Sequence, residues 1–390
     1  MQKHLLFLPI LCGLIVLQSC GGDEPTEPEQ TLNTVPEFFN SAAESLYGSE
    51  GPEIEVVADR NAGLDFPRDL AFHSFEDRKN ELWVLNPGTD NTGAYTTTFY
   101  DPNTDAGNYD NLQDGNAWHF MALASSLAFG DNGNWATAQG ILCANRQNVL
   151  FTGPTLWSSD MNIYAQVGQN PTPQVNGSHL DMIHQTPYGM GIAHEVDNVY
   201  WVFDGYNRTI CRYDFVEPHY PGGPDHSDGK VWRYSQPEVR MDLMAEIPSH
   251  MILDKNTGWL YICDTGNKRV IKLNTNSGSE ISGSPRIPNR VFEDLALYTE
   301  VEGAEWEIVA DSGLFSPSGI TMVENRLFVS DFGNGNIMCY DKESNELLGQ
   351  VETNGKGVAG LEIGPNGSLW FVNALRDELC KLQPQSPNEI

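Results

Sequence analysis

Basic residues are scarce in this sequence of 390 residues. It contains 22 Lys and Arg against 53 Asp and Glu, so its formal net charge at pH 7 is −31. The acidic residues are spread along the chain rather than gathered in one tail. A surface of this sign repels phosphate backbones and anionic lipid headgroups. We therefore expect neither a nucleic acid nor an anionic membrane surface as a partner, and we expect a monomer.

Cysteine is also rare, and the local signatures of several enzyme classes are missing. Beyond residue 20 the cysteines are Cys143, Cys211, Cys263, Cys339 and Cys380. An odd number at wide spacing is not a disulfide framework. The sequence has no Gly-x-Ser-x-Gly elbow, P-loop, EF-hand loop or dinucleotide-binding fingerprint. It therefore does not indicate the enzymes that depend on those motifs.

The apolar run at residues 5–17 is too short to cross a bilayer. It has 13 residues, whereas a membrane-spanning helix needs roughly 20, so it is typical of a signal peptide. It ends at Leu-Gln-Ser-Cys20, which resembles a bacterial lipobox. We predict a lipoprotein signal peptide at 1–19, lipidation of Cys20 and an acidic tether at 20–50. The protein would then lie in the cell envelope, held to the outer membrane by its lipid alone. A cleaved secretory signal with an incidental cysteine is the alternative.

Internal repetition organises the rest of the chain. Three stretches align directly, "YGMGIAHEVDNVYWVFDGYNRTICRYD" from Tyr188, "PSHMILDKNTGWLYICDTGNKRVIKLN" from Pro248 and "PSGITMVENRLFVSDFGNGNIMCYD" from Pro317. Each indicates a short strand, a turn, a hydrophobic strand, a turn with Asp and Asn, and a third alternating strand. Further copies begin at Val358 and Phe66, and the weakest begins at Ala122.

Six copies of a four-stranded unit predict an all-β fold, a six-bladed β-propeller over residues 51–385. The last copy ends after Leu382 without a fourth strand, while residues 53–58 form a strand without a partner. We therefore expect this N-terminal strand to close the ring as the outer strand of the final blade. Long loops are expected near residues 90–118, 140–187, 214–247 and 277–315.

Equivalent positions of the repeats carry the same residue types. One position of the third strand is occupied by Cys211, Ile271, Cys339 and Cys380. We interpret the thiols there as small apolar packing groups. The second strands end in Asp204, Asp264 and Asp331, whose carboxylates we expect to cap the following turns.

The motifs of these copies resemble NHL repeats. The resemblance rests on Pro-Ser-Gly-Ile, Pro-Ser-His-Met and the strand-Asp-x-Gly-Asn-x-x-strand pattern, and it covers roughly residues 53–383. It implies a propeller in which the first strand of each blade lines the central channel. The stretches "HFMALASSLAFG", "FTGPTLW" and "DHSDG" are also similar to those of uncharacterised NHL-like proteins, which implies no activity.

Histidines are concentrated in one region, because six of the nine lie between residues 179 and 250. Neutral imidazole is a common metal ligand, and carboxylates complete or orient such sites. The candidate metal ligands are His179, Asp181, His184, His194, His219, Asp225, His226 and His250. The candidate ions are Zn²⁺ and Ca²⁺, the latter also because the loop at 101–116 is rich in oxygen ligands. Loop histidines that satisfy backbone carbonyls, and an ordinary acidic loop, are the alternatives.

Four residues are candidates for ligand binding at the channel mouth: Asp69, Met190, Tyr206 and His250. His250 takes the first-strand place that Gly319 holds in another copy, and Met190 takes it in the preceding copy. "FDGYNRTI" is similar to the peptidyl-hydroxyglycine lyase of peptide amidation, and Tyr206 matches the catalytic tyrosine of that family. The chain departs from the family because His250 follows the blade proline one place late and the arginine after the second-strand Asp is missing. These departures argue against amidating-lyase activity.

Two functions from different classes follow. The first is a cell-envelope propeller that binds a small molecule, a peptide or a glycan at the channel mouth. The second is a metal-dependent lyase or hydrolase with a histidine-rich site on the propeller. The metal content of the purified protein distinguishes them.

Overall fold

The structure of the chain is a computed structural model that describes residues 38, 54–145, 147, 149–172, 174–244, 246–283, 285, 287, 293–353 and 355–384. The signal peptide predicted at 1–19, the lipidation site Cys20 and all of the 20–50 tether except Phe38 lie outside the described residues. Phe38 packs edge-on against Phe328, with ring centroids 5.4 Å apart. Within the described ranges, no helix has the length and apolar character needed to span a membrane.

The predicted six-bladed β-propeller is confirmed, with six separate sheets that correspond to the six repeats. Blade 1 contains β2 (Asp69–Phe72), β3 (Leu82–Thr89), β4 (Gly93–Phe99) and β5 (Tyr109–Leu112). Blade 2 contains β6 (Ala124–Phe129), β7 (Asn134–Gln139), β8 (Thr155–Ser158) and β9 (Asp181–Met182). Blade 3 contains β10 (Gly189–Val196), β11 (Val199–Asp204), β12 (Thr209–Asp214) and β13 (Lys230–Tyr234).

Blades 4 to 6 follow the same plan. Blade 4 contains β14 (Met251–Asp254), β15 (Trp259–Asp264), β16 (Arg269–Asn274) and β19 (Trp306–Ala310). Blade 5 contains β20 (Pro317–Val323), β21 (Arg326–Asp331), β22 (Asn336–Asp341) and β23 (Leu347–Glu352). Blade 6 contains β24 (Val358–Ile363), β25 (Leu369–Asn373), β26 (Glu378–Leu382) and β1 (Ile54–Ala58). Short helical turns lie at Arg60–Ala62, Glu76–Arg78 and Thr265–Asn267, and the helix α1 lies at Ala117–Phe120.

The first strands of the six blades contact one another in a closed ring, in the order β2, β6, β10, β14, β20, β24 and back to β2. They therefore surround the centre of the propeller. The hydrophobic core is divided into six clusters, and each fills the space between two neighbouring blades. This is the packing that a propeller requires, because each sheet buries both faces against its neighbours.

The ring closes as the sequence predicts. β1 pairs antiparallel with β26, with Ile54 opposite Leu382 and Val56 opposite Cys380. The Lys381 ammonium also lies 2.9 Å from the Glu55 carboxylate. The last blade is thus completed by the N-terminal strand, which leaves β26 without an open edge.

The repeated cysteines have the packing role expected of them, and two of the three aspartates cap the turns that follow, whereas Asp264 accepts from the Arg240 amide instead. Cys211, Cys339 and Cys380 are buried in their third strands, and none of the five cysteines in the described residues forms a disulfide. Burial raises the pKa of the Cys211 thiol to about 12, so it remains an apolar group. The carboxylate of Asp331 accepts from the Gly333 amide at 2.9 Å and caps the turn after β21.

Blade 3 differs from the four-stranded unit that the sequence predicts. The segment between β16 and β19 of blade 4 forms two more strands, β17 (Ser279–Ile281) and β18 (Leu297–Glu302). β18 pairs in parallel with β13, so the sheet of blade 3 has six strands in the order β10-β11-β12-β13-β18-β17. The insertion of blade 4 therefore extends the outer edge of blade 3.

Candidate metal centre between blades 2 and 3

The histidine-rich site forms where the end of blade 2 meets the long loop of blade 3. The strand β9 belongs to blade 2, and the loop at 215–229 joins β12 to β13. The two segments are joined by backbone hydrogen bonds, from the His219 amide to the Leu180 carbonyl (3.1 Å) and from the Gly222 amide to the His179 carbonyl (2.7 Å). Gly222 has a φ of +77°, and a Cβ there would lie 2.5 Å from the Gly177 carbonyl oxygen. This close approach therefore requires glycine.

Three imidazoles converge at this junction. His179, His219 and His226 each offer a ring nitrogen, and these atoms lie within 4.8 Å of one another. The ring centroids are 5.0 Å apart for His179 and His219, 5.1 Å for His219 and His226, and 6.0 Å for His179 and His226. Three ligands of one tetrahedral zinc ion, with Zn–N bonds near 2.0–2.1 Å, place their ring centroids about 5 Å apart. The triad is therefore close to the arrangement that one metal ion requires.

Each imidazole of the triad is oriented through its Nδ1 atom. His179 donates to the Asn176 carbonyl at 2.9 Å, and His219 donates to the Tyr220 carbonyl at 2.7 Å. His226 Nδ1 lies 2.7 Å from Oδ1 of Asp181. Because a carbonyl only accepts, the neutral rings of His179 and His219 carry hydrogen on Nδ1 and a lone pair on Nε2. Metal-binding histidines are held by this type of outer hydrogen bond.

The Nε2 atoms of His179 and His219 are buried and have no hydrogen-bond partner among the described residues. Oδ2 of Asp181 is also buried without a hydrogen-bond partner among these residues, and Asp181 as a whole is 0% exposed. A buried polar atom that is left unpaired costs about 1–3 kcal/mol. The lone pairs on these atoms are therefore available to a ligand.

The surroundings of His179 and His219 favour their neutral forms. Burial, followed by the neighbouring His219 and His226, lowers the pKa of His179 to about 2. Burial also lowers the pKa of His219 to about 4, against the opposing hydrogen bond to Tyr220. For Asp181, burial raises the pKa to about 6, although the hydrogen bond with His226 opposes the rise. Neutral imidazoles retain the lone pairs that bind a metal.

Two further histidines lie beside the triad. His184 stacks on Phe151, with centroids 3.9 Å apart, and its Nδ1 lies 2.8 Å from a carboxylate oxygen of Glu293. Burial alone would raise the pKa of Glu293, but hydrogen bonds from His184 and Gln185 outweigh it, so the net direction is downward. His119, in α1, has its ring centroid 5.6 Å from that of His184.

His194 and His250 do not belong to this cluster, so the eight predicted metal ligands do not form one site. His250 Nε2 donates to the carbonyl of Ser125 in β6, the innermost strand of blade 2. Asp181 lies in β9, three strands further out, and three strand spacings amount to about 14 Å. Asp225 is near the triad but exposed, and its carboxylate accepts from the Ser227 amide and hydroxyl.

His194 and His250 instead line a cavity of about 330 Å³ bounded by first-strand residues. Asp69 lies in its wall with one carboxylate oxygen 3.6 Å from His250 Nδ1. Glu362 also lines it, and burial, followed by the charge of Asp69, raises the pKa of Glu362 to about 8. Lys255 and His194 line it too, with Lys255 Nζ 2.8 Å from His194 Nδ1. The cavity therefore has acidic and basic walls.

The other two ligand-binding candidates lie elsewhere. Met190 has 0% exposure and packs in the core between blades 3 and 4. Its side chain points into the blade interface because strand residues alternate between faces. Tyr206 is 40% exposed and follows β11, beside the start of β10. The cavity is lined instead by Ile192 to His194 of β10, so Tyr206 lies toward the other end of that strand.

Sequence reasoning missed four residues beside the histidine triad: His119, Phe120, Phe151 and Glu293. Phe120 stacks on His179 with centroids 3.6 Å apart. His119, Phe120 and Phe151 lie in "HFMALASSLAFG" and "FTGPTLW", the stretches that are similar to uncharacterised NHL-like proteins, and that similarity was the available signal. Glu293 belongs to the insertion of blade 4. The repeat pattern does not predict where this insertion lies.

The donor set suits a transition metal better than calcium. Imidazole nitrogen is a good ligand for zinc and copper, whereas Ca²⁺ takes six to eight oxygen ligands.

In the oxygen-rich loop at 101–116, the Asp114 carboxylate accepts from the Ser178 amide at 2.8 Å and the Ser178 hydroxyl at 2.6 Å. Asp114 therefore orients the residue before His179.

No family model matches the chain, and no curated protein matches it in sequence. Solved structures do match in fold. A protein of unknown function from Bacteroides thetaiotaomicron has a TM-score of 0.50 at 10% identity, over 86% of this chain and 73% of that one. Regucalcin from Agrobacterium tumefaciens, described as a calcium-binding protein, has a TM-score of 0.50 at 12% identity, over 86% of this chain and 95% of that one.

An auxiliary nutrient binding protein from Bacteroides ovatus has a TM-score of 0.48 at 12% identity, over 83% of this chain and 70% of that one. At such identities a structural likeness concerns the fold alone. The chain is a six-bladed β-propeller, as the NHL-like repeats of its sequence predict.

Proposed function

We propose that this propeller binds a divalent transition metal, zinc in the first place, and that its function is a metal-dependent hydrolytic or lyase reaction. The ligands would be His179, His219 and His226. The observation that carries the proposal is the convergence of three imidazoles within 4.8 Å, each held through Nδ1. Asp181 would orient His226 in the manner of a carboxylate–histidine–zinc triad.

A three-histidine set leaves a fourth coordination position open. Zinc bound in this way lowers the pKa of a water ligand to about 7 and polarises carbonyl or phosphoryl oxygens. The residues of the chain would hold the ion, stack against the ligand rings and restrict the entry of water. The side chain of His226 is 17% exposed, so its side of the centre is where a substrate would approach.

We also propose that the protein works at the cell envelope, tethered through lipid on Cys20. This rests on the lipobox-like sequence and on the acidic, proline-rich stretch that follows it. Such a stretch buries too little apolar surface to fold. A tether of this kind would leave the propeller exposed to extracellular or periplasmic substrates.

The central cavity supports a second candidate function, the binding of a small molecule. Its volume of about 330 Å³ is at the lower end of ligand pockets. A cationic or zwitterionic ligand would suit it, because an amine could contact Asp69 and Glu362 while a carboxylate contacted Lys255. A volume of this size suits a small molecule better than a peptide or a glycan.

Calorimetric titration of Zn²⁺ into chelator-treated protein tests the main proposal. We expect tight zinc binding in the unmodified protein and a loss of affinity of at least about 100-fold in His179→Ala and His219→Ala, because a lost ligand should cost more than an outer-shell change. His73→Ala is the matched control, since His73 is a buried histidine that bonds to Ser159 instead. Equal zinc binding in the variants would contradict the proposal. Turnover of p-nitrophenyl acetate or phosphate that needs both zinc and His179 would support the reaction class.

A further inference from the structure

The polar atoms without partners extend beyond the triad. His184 keeps a buried Nε2 and His119 keeps a buried Nδ1, and neither atom has a hydrogen-bond partner among the described residues. The two rings are 5.6 Å apart between centroids. This is close to the separation of about 5 Å that two imidazoles on one tetrahedral ion adopt. The two imidazoles are therefore spaced as two ligands of one metal ion would be.

This pair lies directly against the triad. The ring centroids of His184 and His226 are 6.4 Å apart. Paired metal ions in proteins lie about 3.5–4 Å apart, so ligands of adjacent ions can have ring centroids slightly further apart than ligands of one ion.

The outer contacts of His184 also match those of a metal ligand. Its Nδ1 and its backbone amide both contact the Glu293 carboxylate, at 2.8 Å and 3.0 Å. Gln185 Nε2 donates to Oε2 of this carboxylate at 2.8 Å. Nδ1 is thereby committed to Glu293, which leaves Nε2 as the ligand atom. Phe151 stacks on the ring and fixes its plane.

We infer that the centre is built for two adjacent metal ions rather than one. The first ion would be held by the triad, and His119 and His184 would supply two ligands of the second. This inference rests on the proposed function, because it assumes that the triad binds metal. The alternative role of His184 and Glu293, as an acid–base pair beside a single ion, predicts one metal per chain.

The ratio of metal to protein separates these outcomes. After loading with Zn²⁺ and gel filtration, we expect elemental analysis to give two zinc ions per chain, and one per chain in His184→Ala and His119→Ala. His73→Ala should retain two. One ion per chain in the unmodified protein would overturn the two-ion inference and leave the proposed function intact, whereas none would overturn both. Two ions retained in His184→Ala would show that the second ion binds elsewhere, which also overturns the inference.

Loading with Cu²⁺ gives a test that needs no variant. Imidazole sites accept copper readily, and two adjacent Cu²⁺ ions couple magnetically. We expect an electron paramagnetic resonance spectrum whose integrated spin is well below the copper content, with a half-field signal. A spectrum of isolated Cu²⁺ with one spin for each copper bound would overturn the adjacency of the two ions.

Discussion

Replacement of Glu362 by Gln should stabilise the propeller at alkaline pH. Glu362 lines the central cavity, half-buried, and burial followed by the charge of Asp69 raises its pKa to about 8. In the unfolded chain the carboxyl has its ordinary pKa of 4.5. Between pH 4.5 and pH 8 the folded chain therefore holds a proton that the unfolded chain has lost. The free energy of unfolding must then fall as pH rises through this interval.

The size of the effect follows from the two pKa values. Their difference, 8 − 4.5 = 3.5, corresponds to at most about 5 kcal/mol, at about 1.4 kcal/mol for each pH unit. The cavity opens to solvent, and water there stabilises the charged carboxylate. We therefore expect the contribution to the free energy of unfolding to be about 1–3 kcal/mol. The unmodified protein loses it above pH 8, whereas Glu362→Gln retains it.

Urea unfolding at pH 5 and at pH 8.5 measures this difference. At pH 5 the unmodified protein and Glu362→Gln should have similar free energies of unfolding. At pH 8.5 the unmodified protein should be the less stable of the two proteins. Glu324→Gln is the control, because Glu324 lies on an exposed turn and its replacement removes the same charge. If the stabilities of the unmodified protein and Glu362→Gln change in parallel with pH, the cavity does not perturb this carboxyl and the reasoning is refuted.

Three other predictions concern the ring and the candidate metal centre. Deletion of residues 54–58 should abolish cooperative unfolding in calorimetry because it opens the edge of β26, whereas deletion of residues 23–30 should not change it; equal melting would refute closure by β1. Asp181→Asn should weaken zinc affinity by about 10- to 100-fold in titration calorimetry, since it loosens His226; unchanged affinity would exclude this orienting role. Gly222→Ala should weaken zinc affinity at least about tenfold, because a side chain at its φ of +77° is strained and meets backbone; normal binding would show that the loop adjusts.

Most of the fold could be predicted because it is encoded in repetition. Equivalent residues such as Cys211 and Cys339 align the blades, and the unpaired strand before the first repeat indicates the closure of the ring. β17 and β18 could not be predicted, because residues 279–302 have no counterpart in the other copies. Their pairing with blade 3 depends on a contact between neighbouring blades, which is not visible in a local pattern.

The candidate site was predictable in part. Clustering along the chain identified His179, His219 and His226, but it also included His250, which the intervening strands of blade 2 separate from them. Met190 was expected at the channel mouth but packs in the core. Successive strand residues point to opposite faces, so a shift of one residue in the alignment changes the face on which a side chain lies. Glu293 lies 109 residues from its partner His184, and such distant contacts follow only from the assembled blades.

The most direct test of the central claim is a crystal structure of the zinc-loaded protein, with anomalous data collected on both sides of the zinc absorption edge. We expect an anomalous peak between His179, His219 and His226, with imidazole nitrogens about 2.0–2.1 Å from it. A map without a peak there, or with its zinc peak in the central cavity beside His250, would contradict the claim that the junction of blades 2 and 3 is the metal centre.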